Sequence, residues 1–444
     1  MHSLAIALHR KGYRVTGSDD EIFEPARSRL AGAGLLPGEE GWHPERIMAG
    51  LDAVILGMHA RRDNPELQRA LDLDIRVYSY PEFLYHETAN KVRVVIAGSH
   101  GKTTITSMVM HVLRECGRKF DYMVGSAVEG FDNMVSLDPG NPVAVFEGDE
   151  YLSSCLDPRP KFLLYQPQVA LVSGIAWDHI NVFPTWENYV DQFREFIRNI
   201  PGDGYLVYCG EDGMLAKVAG ETNPGLTKIP YETPGYEIWE EGVCIRCGEK
   251  NYVMQVFGRH NMQNIEGARH ICNRLGISDH DFYSAISSFR GAGRRLQLLG
   301  EKGRTAVFLD FAHSPSKVEA TVKAVREQFP GRRLVACLEL HTFSSLNKAF
   351  LDHYRHTLDA ADKAIVFYNP DTIRHKRLED IVPEEVMEKF ATPGLIVYIT
   401  KDDLEKHLYA EGWENAVLLL MSSGTFSGMD VKALAGKILG SHKD

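Results

Sequence analysis

Helical and strand-like periodicities alternate along this chain. Leu4, Leu8 and the residues between them give an apolar helical face, and residues 13–17 (YRVTG), 53–56 (AVIL) and 75–78 (IRVY) read as strands. Such alternation predicts βαβ units and a parallel sheet. In a nucleotide-binding unit of this kind the first strand and its glycine-rich turn precede the first helix. Here the chain opens inside that helix, so either the first unit is unconventional or the sequence begins downstream of its natural start.

A second segment starts with the β-branched run 91–97 (KVRVVIA), which leads directly into GSHGKTT and an apolar-periodic helix over 105–113. Further strands are expected at 143–147, 169–173 and 205–208, with an amphipathic helix over 186–199 between the last two. On that helix Tyr189, Phe193 and Phe196 fall at core-packing spacing. The turn-rich stretch 222–252 predicts short antiparallel strands, and helices resume at 261–275 and 279–289. A boundary at 297–304 (QLLGEKGR) opens a third segment. There strands at 305–310, 333–338, 363–367, 395–399 and 416–421 alternate with helices, as in a second doubly wound domain.

Composition narrows the function classes. A length of 444 residues exceeds one core, so two or three domains are expected, with function located between them. Acidic residues outnumber basic ones 60 to 49, which argues against a general nucleic-acid binder. The seven cysteines are scattered and odd in number, as expected of a reduced, cytoplasmic compartment. Cys244 and Cys247 form a single C-x-x-C without the second ligand pair that zinc requires. Neither a membrane span nor a signal peptide is read, because Arg10 and Lys11 follow the apolar opening rather than precede it.

Gly98, Gly101, Lys102 and Thr103 stand in the order G-x-x-G-K-T between a strand and a helix. Backbone amides there can wrap a phosphate, Lys102 can reach its outer oxygens, and Thr103 can offer a hydroxyl to Mg²⁺. The first glycine of the common motif is replaced by Ile96, and His100 sits inside the loop. Glu147, Asp149 and Glu150 end the next strand, where a P-loop enzyme places metal carboxylates. Asp178 and His179 follow another strand, and His179 there suits a second Mg²⁺ or orientation of an acyl group. Asn261 and Asn264, spaced i and i+3, can face the adenine edge, whereas the plainer reading has Asn261 cap its helix. Arg294, Arg295 and the run 310–315 (DFAHSP) lie where a third domain could close over a nucleotide.

The ordered series GSHGKTT, EGDEY, WDHIN, GRHNMQN, GAGRRLQ and DFAHSP resembles the Mur ligase family, the ATP-dependent enzymes that build the peptide stem of peptidoglycan. The resemblance runs from about Gly17 to Met429 and implies an α/β protein of three domains. These are a Rossmann-like UDP-sugar domain (1–90), a central P-loop ATPase domain (91–298) and a Rossmann-like acceptor domain (299–444). It implies that Gly98, His100, Gly101, Lys102, Thr103 and Thr104 hold ATP, with Thr103 and Glu150 on one Mg²⁺ and His179 on a second. Asn261 and Asn264 match the adenine-side pair, and Arg295 and Asp310 match residues that tie the nucleotide to the third domain. His313 and His341 are further substrate candidates. ATP would turn a carboxylate into an acyl phosphate, which an amine then attacks.

Two departures refine the resemblance. Where many members carry a carbamoylated lysine, this chain reads Gln192-Phe193-Arg194, which points to the subgroup acting directly on UDP-N-acetylmuramate. The glycine loop that cradles the UDP pyrophosphate is missing, leaving Ser18, Asp19, His59, Asn64 and Ser79 as candidates for that pocket. Within the subgroup, DEYLSSCLDPRPKF (149–162), Phe183-Pro184 and MSSGTFSG (421–428) resemble the members that attach the intact tripeptide L-alanyl-γ-D-glutamyl-meso-diaminopimelate. The stretch ELHTF (339–343) departs from their usual E-P-R-S-N. L-alanine is the alternative acceptor. A nucleotide-binding pseudoenzyme is the alternative of another class, disfavoured because Lys102, Glu150 and His179 are all retained. A folylpolyglutamate-synthase-like ligase is disfavoured because the first segment would be superfluous. The resemblance further implies small-molecule partners only, no nucleic acid, no membrane insertion, and a monomer or weak homodimer.

Overall fold

The run Val92–Ala97 is apolar on both faces apart from Arg93, so it can be satisfied only where helices cover both sides of a sheet. In the computed structural model, which describes residues 1–177, 182–239 and 242–440, it is the central strand of seven. Their order is Val135–Ser136, Asp121–Met123, Val143–Glu147, Val92–Ala97, Val169–Val172, Tyr205–Cys209 and Thr227–Tyr231. Every neighbouring pair is parallel except the first. Val94 lies opposite Val145 on one side and Val169 on the other, with all three side chains removed from water.

The chain divides into two compact units. One comprises Met1–Ile175, Thr185–Glu232 and Gly267–Phe282 and contains the seven-stranded sheet together with a two-stranded parallel pair, Val54–Leu56 beside Val77–Ser79. The other comprises Ala176–Pro184, Thr233–Glu266 and Tyr283–Asp444. It holds a three-stranded antiparallel sheet (Tyr236–Trp239, Gly242–Cys247, Lys250–Met254) and a six-stranded sheet. The six strands run in the order Gln297–Lys302, Thr305–Asp310, Ala416–Met421, Arg333–Glu339, Lys363–Phe367 and Ile396–Tyr398. Alternation along them feeds two cores: Phe308, Ala336, Leu338 and Leu419 pack on one face, and Val307, Val335, Cys337 and Leu418 on the other.

Three expectations are corrected. Residues 13–17 form no strand, because nothing lies alongside to supply a ladder; Tyr13 instead donates its hydroxyl to Glu87 Oε1 at 2.9 Å. The segment expected to be a boundary at 297–304 includes the strand Gln297–Lys302, antiparallel to Thr305–Asp310 with a bulge between Leu298 and Gly300. Thr227–Tyr231, placed in the antiparallel region by its turn-rich context, is the last parallel strand of the large sheet.

Helix Trp186–Arg198 confirms the packing read from its apolar stripe. Phe196 stacks on Phe162 at a centroid distance of 4.7 Å, and Phe193 meets the same ring edge-on at 5.5 Å. Both neighbours and Phe162 itself are fully buried. Phe162→Ala is therefore expected to cost about 3–5 kcal/mol of folding free energy, read as a lowered midpoint in urea denaturation.

Candidate functional site

In the first unit the central strand ends in a backbone turn that only glycine accommodates easily. Gly98 has φ +127°, and a Cβ there would lie 2.2 Å from Ser173 Oγ and 2.8 Å from Ser173 N. Gly101, also left-handed at φ +75°, caps helix Lys102–Glu115. The amides of the first helical turn thereby open at the end of the loop, the arrangement that binds anions. His100 lies inside the loop with its ring against Gly174, and its carbonyl accepts the Ser173 hydroxyl. Thr104 is buried in the first turn of the helix.

Because Val143–Glu147 is the parallel neighbour of Val92–Ala97, its acidic end emerges beside the loop. Lys102 Nζ pairs with Glu150 Oε2 at 2.5 Å and donates to the Gly98 carbonyl at 2.7 Å. Thr103 Oγ1 donates to Glu147 Oε1 at 2.7 Å, and Gly125 N donates to Glu147 Oε2 at 2.7 Å. Glu150 has no solvent exposure; its Oε1 accepts the Tyr189 hydroxyl at 3.1 Å, and that hydroxyl lies 2.7 Å from Ser99 Oγ. Asp149 is turned to Lys161 at 2.6 Å. Burial works against the Lys102 ammonium, but Glu150, followed by Asp149 and Glu147, outweighs it and holds the group above its ordinary lysine value. Clustered amides, an ammonium and oxygen-only ligands fit a Mg²⁺–polyphosphate, the hard donors being Thr103 beside Glu147, and Glu150 beside Lys102. Asp178 and His179 lie outside the described residues; the loop before them is anchored by Asp212, which accepts Ile175 N at 2.7 Å and Leu215 N at 2.9 Å.

Two of the N-terminal candidates serve as helix caps. Asn64 accepts Glu66 N and Leu67 N, both at 3.0 Å, as the cap of helix Pro65–Asp72. Ser79 and Glu82 form a capping box on Tyr80–Glu87. Ser18 is half-buried, Asp19 is exposed and bridged through its backbone to Gly41, and His59 is exposed.

The remaining candidates belong to the second unit. Asn261 and Asn264 are buried in the first turns of helix Arg259–Arg274, where Asn261 Nδ2 donates to the Phe257 carbonyl at 2.9 Å. Asp310 ends its strand and accepts Leu296 N at 2.6 Å and Ala312 N at 2.7 Å. Arg295 stacks over Phe311 at 4.5 Å, while His313 Nδ1 lies 2.8 Å from the Phe311 carbonyl. Arg294, in a left-handed conformation at φ +57°, donates to the carbonyls of Ser422 at 2.9 Å and Gly424 at 2.6 Å. Buried Glu339 accepts the Ser422 hydroxyl and Phe426 N, the latter at 2.8 Å. His341 stands beside Glu339, and both side chains press against Gly424, where a Cβ would lie 2.7 Å from His341 Cγ and 2.8 Å from Glu339 Oε2.

Sequence reasoning assigned no role to Glu339, Ser99 or Asp212 and read Tyr189 as packing alone. A phenol at a core position of a helix was the one available signal, since a buried Tyr hydroxyl needs a partner.

Three family models match in succession: "Mur ligase family, catalytic domain" over residues 1–91, "Mur ligase middle domain" over 96–272, and "Mur ligase, glutamate ligase domain" over 294–424. A UDP-N-acetylmuramate--L-alanine ligase of Roseiflexus sp. is 30% identical over 82% of this chain and 81% of its own length. The chain belongs to the Mur ligase family. It is an ATP-dependent, ADP-forming ligase with the family's α/β, three-domain fold. The UDP-N-acetylmuramate--L-alanyl-gamma-D-glutamyl-meso-2,6-diaminoheptandioate ligase of Haemophilus influenzae is 27% identical over 98% of this chain and 96% of its own. The crystal structure of a murein peptide ligase from Psychrobacter arcticus shares the fold, with a TM-score of 0.67 at 23% identity, covering 100% of this chain and 97% of that one. Among the described residues of this Mur ligase, no helix is long and apolar enough to cross a membrane.

Two outcomes follow from the loop geometry. Gly98→Ala should displace the loop from Ser173 and abolish nucleotide binding in a fluorescent-ATP titration, while the melting temperature falls only modestly. Lys102→Met leaves Glu150 buried without its cation and should cost about 3–5 kcal/mol at neutral pH. A lysine whose folded-state pKa is raised contributes its stability in full below the unfolded value of about 10.4. The gap between wild type and Lys102→Met in denaturant titrations should therefore stay constant from pH 7 to about 9 and close as the pH rises above about 10.4.

Proposed function

We propose that this Mur ligase joins the carboxylate of UDP-N-acetylmuramate to the tripeptide L-alanyl-γ-D-glutamyl-meso-diaminopimelate in the cytoplasm. The observation that carries the ligase chemistry is the convergence of Lys102, Thr103, Glu147 and Glu150 on the glycine turn at Gly98. Residues 1–90 are read as the sugar-nucleotide domain, 91–298 as the ATPase and 299–444 as the acceptor domain. Backbone amides of 98–104 bind and orient the polyphosphate, and Lys102 neutralises charge on the transferred phosphoryl group. Thr103, Glu150 and His179 would hold Mg²⁺, which supplies Lewis-acid stabilisation of that charge. Asn261 and Asn264 recognise adenine, and Arg295 and Asp310 organise the ribose side. The sugar carboxylate takes the γ-phosphoryl group of ATP with release of ADP, the acceptor amine attacks the acyl carbon, and the C–O bond to phosphate breaks so that the amide forms and phosphate and a proton leave, with His313 and His341 on the acceptor side. Ser18, Asp19 and His59 are the candidates for the sugar nucleotide; Asn64 and Ser79 would have to reach it from positions they hold as helix caps.

The tripeptide is favoured by the stretches at 149–162 and 421–428, which resemble the members that attach it. L-alanine is favoured by the 30% identity of the Roseiflexus relative. Phosphate release from Mg·ATP and UDP-N-acetylmuramate, measured with each acceptor in turn, separates them. Release with the tripeptide and not with L-alanine is expected. The reverse result transfers the reading to L-alanine, and ATP binding without release in either case makes the chain a nucleotide-binding pseudoenzyme.

A further inference from the structure

Tyr189 lies in the first turn of a helix whose apolar stripe explains its ring but not its hydroxyl. The ring is fully buried and edge-on to Phe193 at 5.4 Å. Its oxygen lies 2.7 Å from Ser99 Oγ, within the phosphate loop, and 3.1 Å from Glu150 Oε1. The carboxylate can only accept, so the phenol proton points to Glu150, and the phenol oxygen is left to receive the Ser99 proton. Glu150 thereby has two unlike oxygens. Oε1 is held from the helix side by a stiff aromatic side chain, and Oε2 faces Lys102 at 2.5 Å.

From this geometry we propose that Tyr189 is a positioning residue for the ligase reaction. It fixes the Glu150 carboxylate so that Oε2 is presented to the cation and phosphates, and through Ser99 it locks that orientation to the phosphate loop. The proposal rests on the reading of Glu150 as a cation ligand. The phenol proton restricts rotation of the Glu150 carboxylate about its last bond, so the position of its donor oxygen is defined more narrowly with it than without it. A hydrogen bond to a carboxylate inside the protein is stronger than one between neutral groups, so its loss should be measurable in binding.

The test titrates a non-hydrolysable ATP analogue into the wild type, Tyr189→Phe, Ser99→Ala and Glu150→Gln, each with Mg²⁺ and with EDTA, alongside thermal melting. Tyr189→Phe keeps the ring and its packing. It should weaken Mg·nucleotide binding about five- to tenfold, leave metal-free binding within about twofold, and melt near the wild type. Ser99→Ala should move the same quantity in the same direction by less, because the phenol still donates to Glu150. The proposal is overturned if Tyr189→Phe binds Mg·nucleotide like the wild type while Glu150→Gln does not, since the hydroxyl then serves packing alone. It is equally overturned if Tyr189→Phe loses affinity to the same extent with and without Mg²⁺ and melts early. Should the wild type and Glu150→Gln both bind without regard to Mg²⁺, the reading of Glu150 as a cation ligand fails, and the proposal with it.

Discussion

A carboxylate cut off from water is tolerated only where cations and O–H or N–H donors take the place of its hydration. Glu150 meets that condition through donors that include Lys102 on Oε2 and Tyr189 on Oε1. The requirement reaches back through the fold. Lys102 is within range because left-handed Gly98 follows the central strand and left-handed Gly101 caps the helix that Lys102 begins, and Glu150 is within range because the adjacent strand runs parallel. Tyr189 is within range because Phe162, Phe193 and Phe196 fix the helix that carries it. Among the described residues, a sheet with Val135–Ser136 as its one antiparallel strand, a helix face of aromatic residues and a glycine-rich loop are thus parts of one electrostatic solution.

The second unit uses the same device with different donors. Asp310 and Glu339 are buried carboxylates at the carboxyl ends of parallel strands, and both are satisfied by backbone N–H groups of the loops that follow or approach them. Each acid folds a loop over the sheet edge where α/β proteins place their ligands. Arg294 does the complementary work, collecting two carbonyls of the same loop that Glu339 holds by a hydroxyl and an amide. Residues 422–428 are therefore pinned by charges of both signs although Phe426 and Ser427 adopt left-handed backbone conformations.

Much of this was legible in the sequence because the relevant signals are periodic or local. The β-branched run 92–97 and the short apolar run 416–421 have the length and composition of buried strands, and G-x-x-G-K-T between strand and helix specifies its own geometry. The expected strand at 13–17 failed because propensity does not provide a hydrogen-bonding neighbour, and Gln297–Lys302 was passed over because its glycine and charges belong to a bulged edge strand. Asn64 followed by Pro65, and Ser79 followed three residues later by Glu82, carry helix-start signatures that compete with any ligand role. The Tyr189–Glu150 contact spans 39 residues, and no local pattern encodes it.

The packing at Gly424 has a consequence for how this sequence can drift. Its α-carbon is wedged against Glu339 and His341, and its amide donates to Ser422 Oγ, which in turn bonds Glu339. A side chain at Gly424 would overlap Glu339 and His341, and loss of Glu339 or Ser422 leaves an unmatched polar atom. Substitutions here are thus conditional on one another, and viable change has to arrive as a coordinated set. The local wording of such a loop is inherited as a block, so two homologues can differ throughout it while the sheet beneath remains the same.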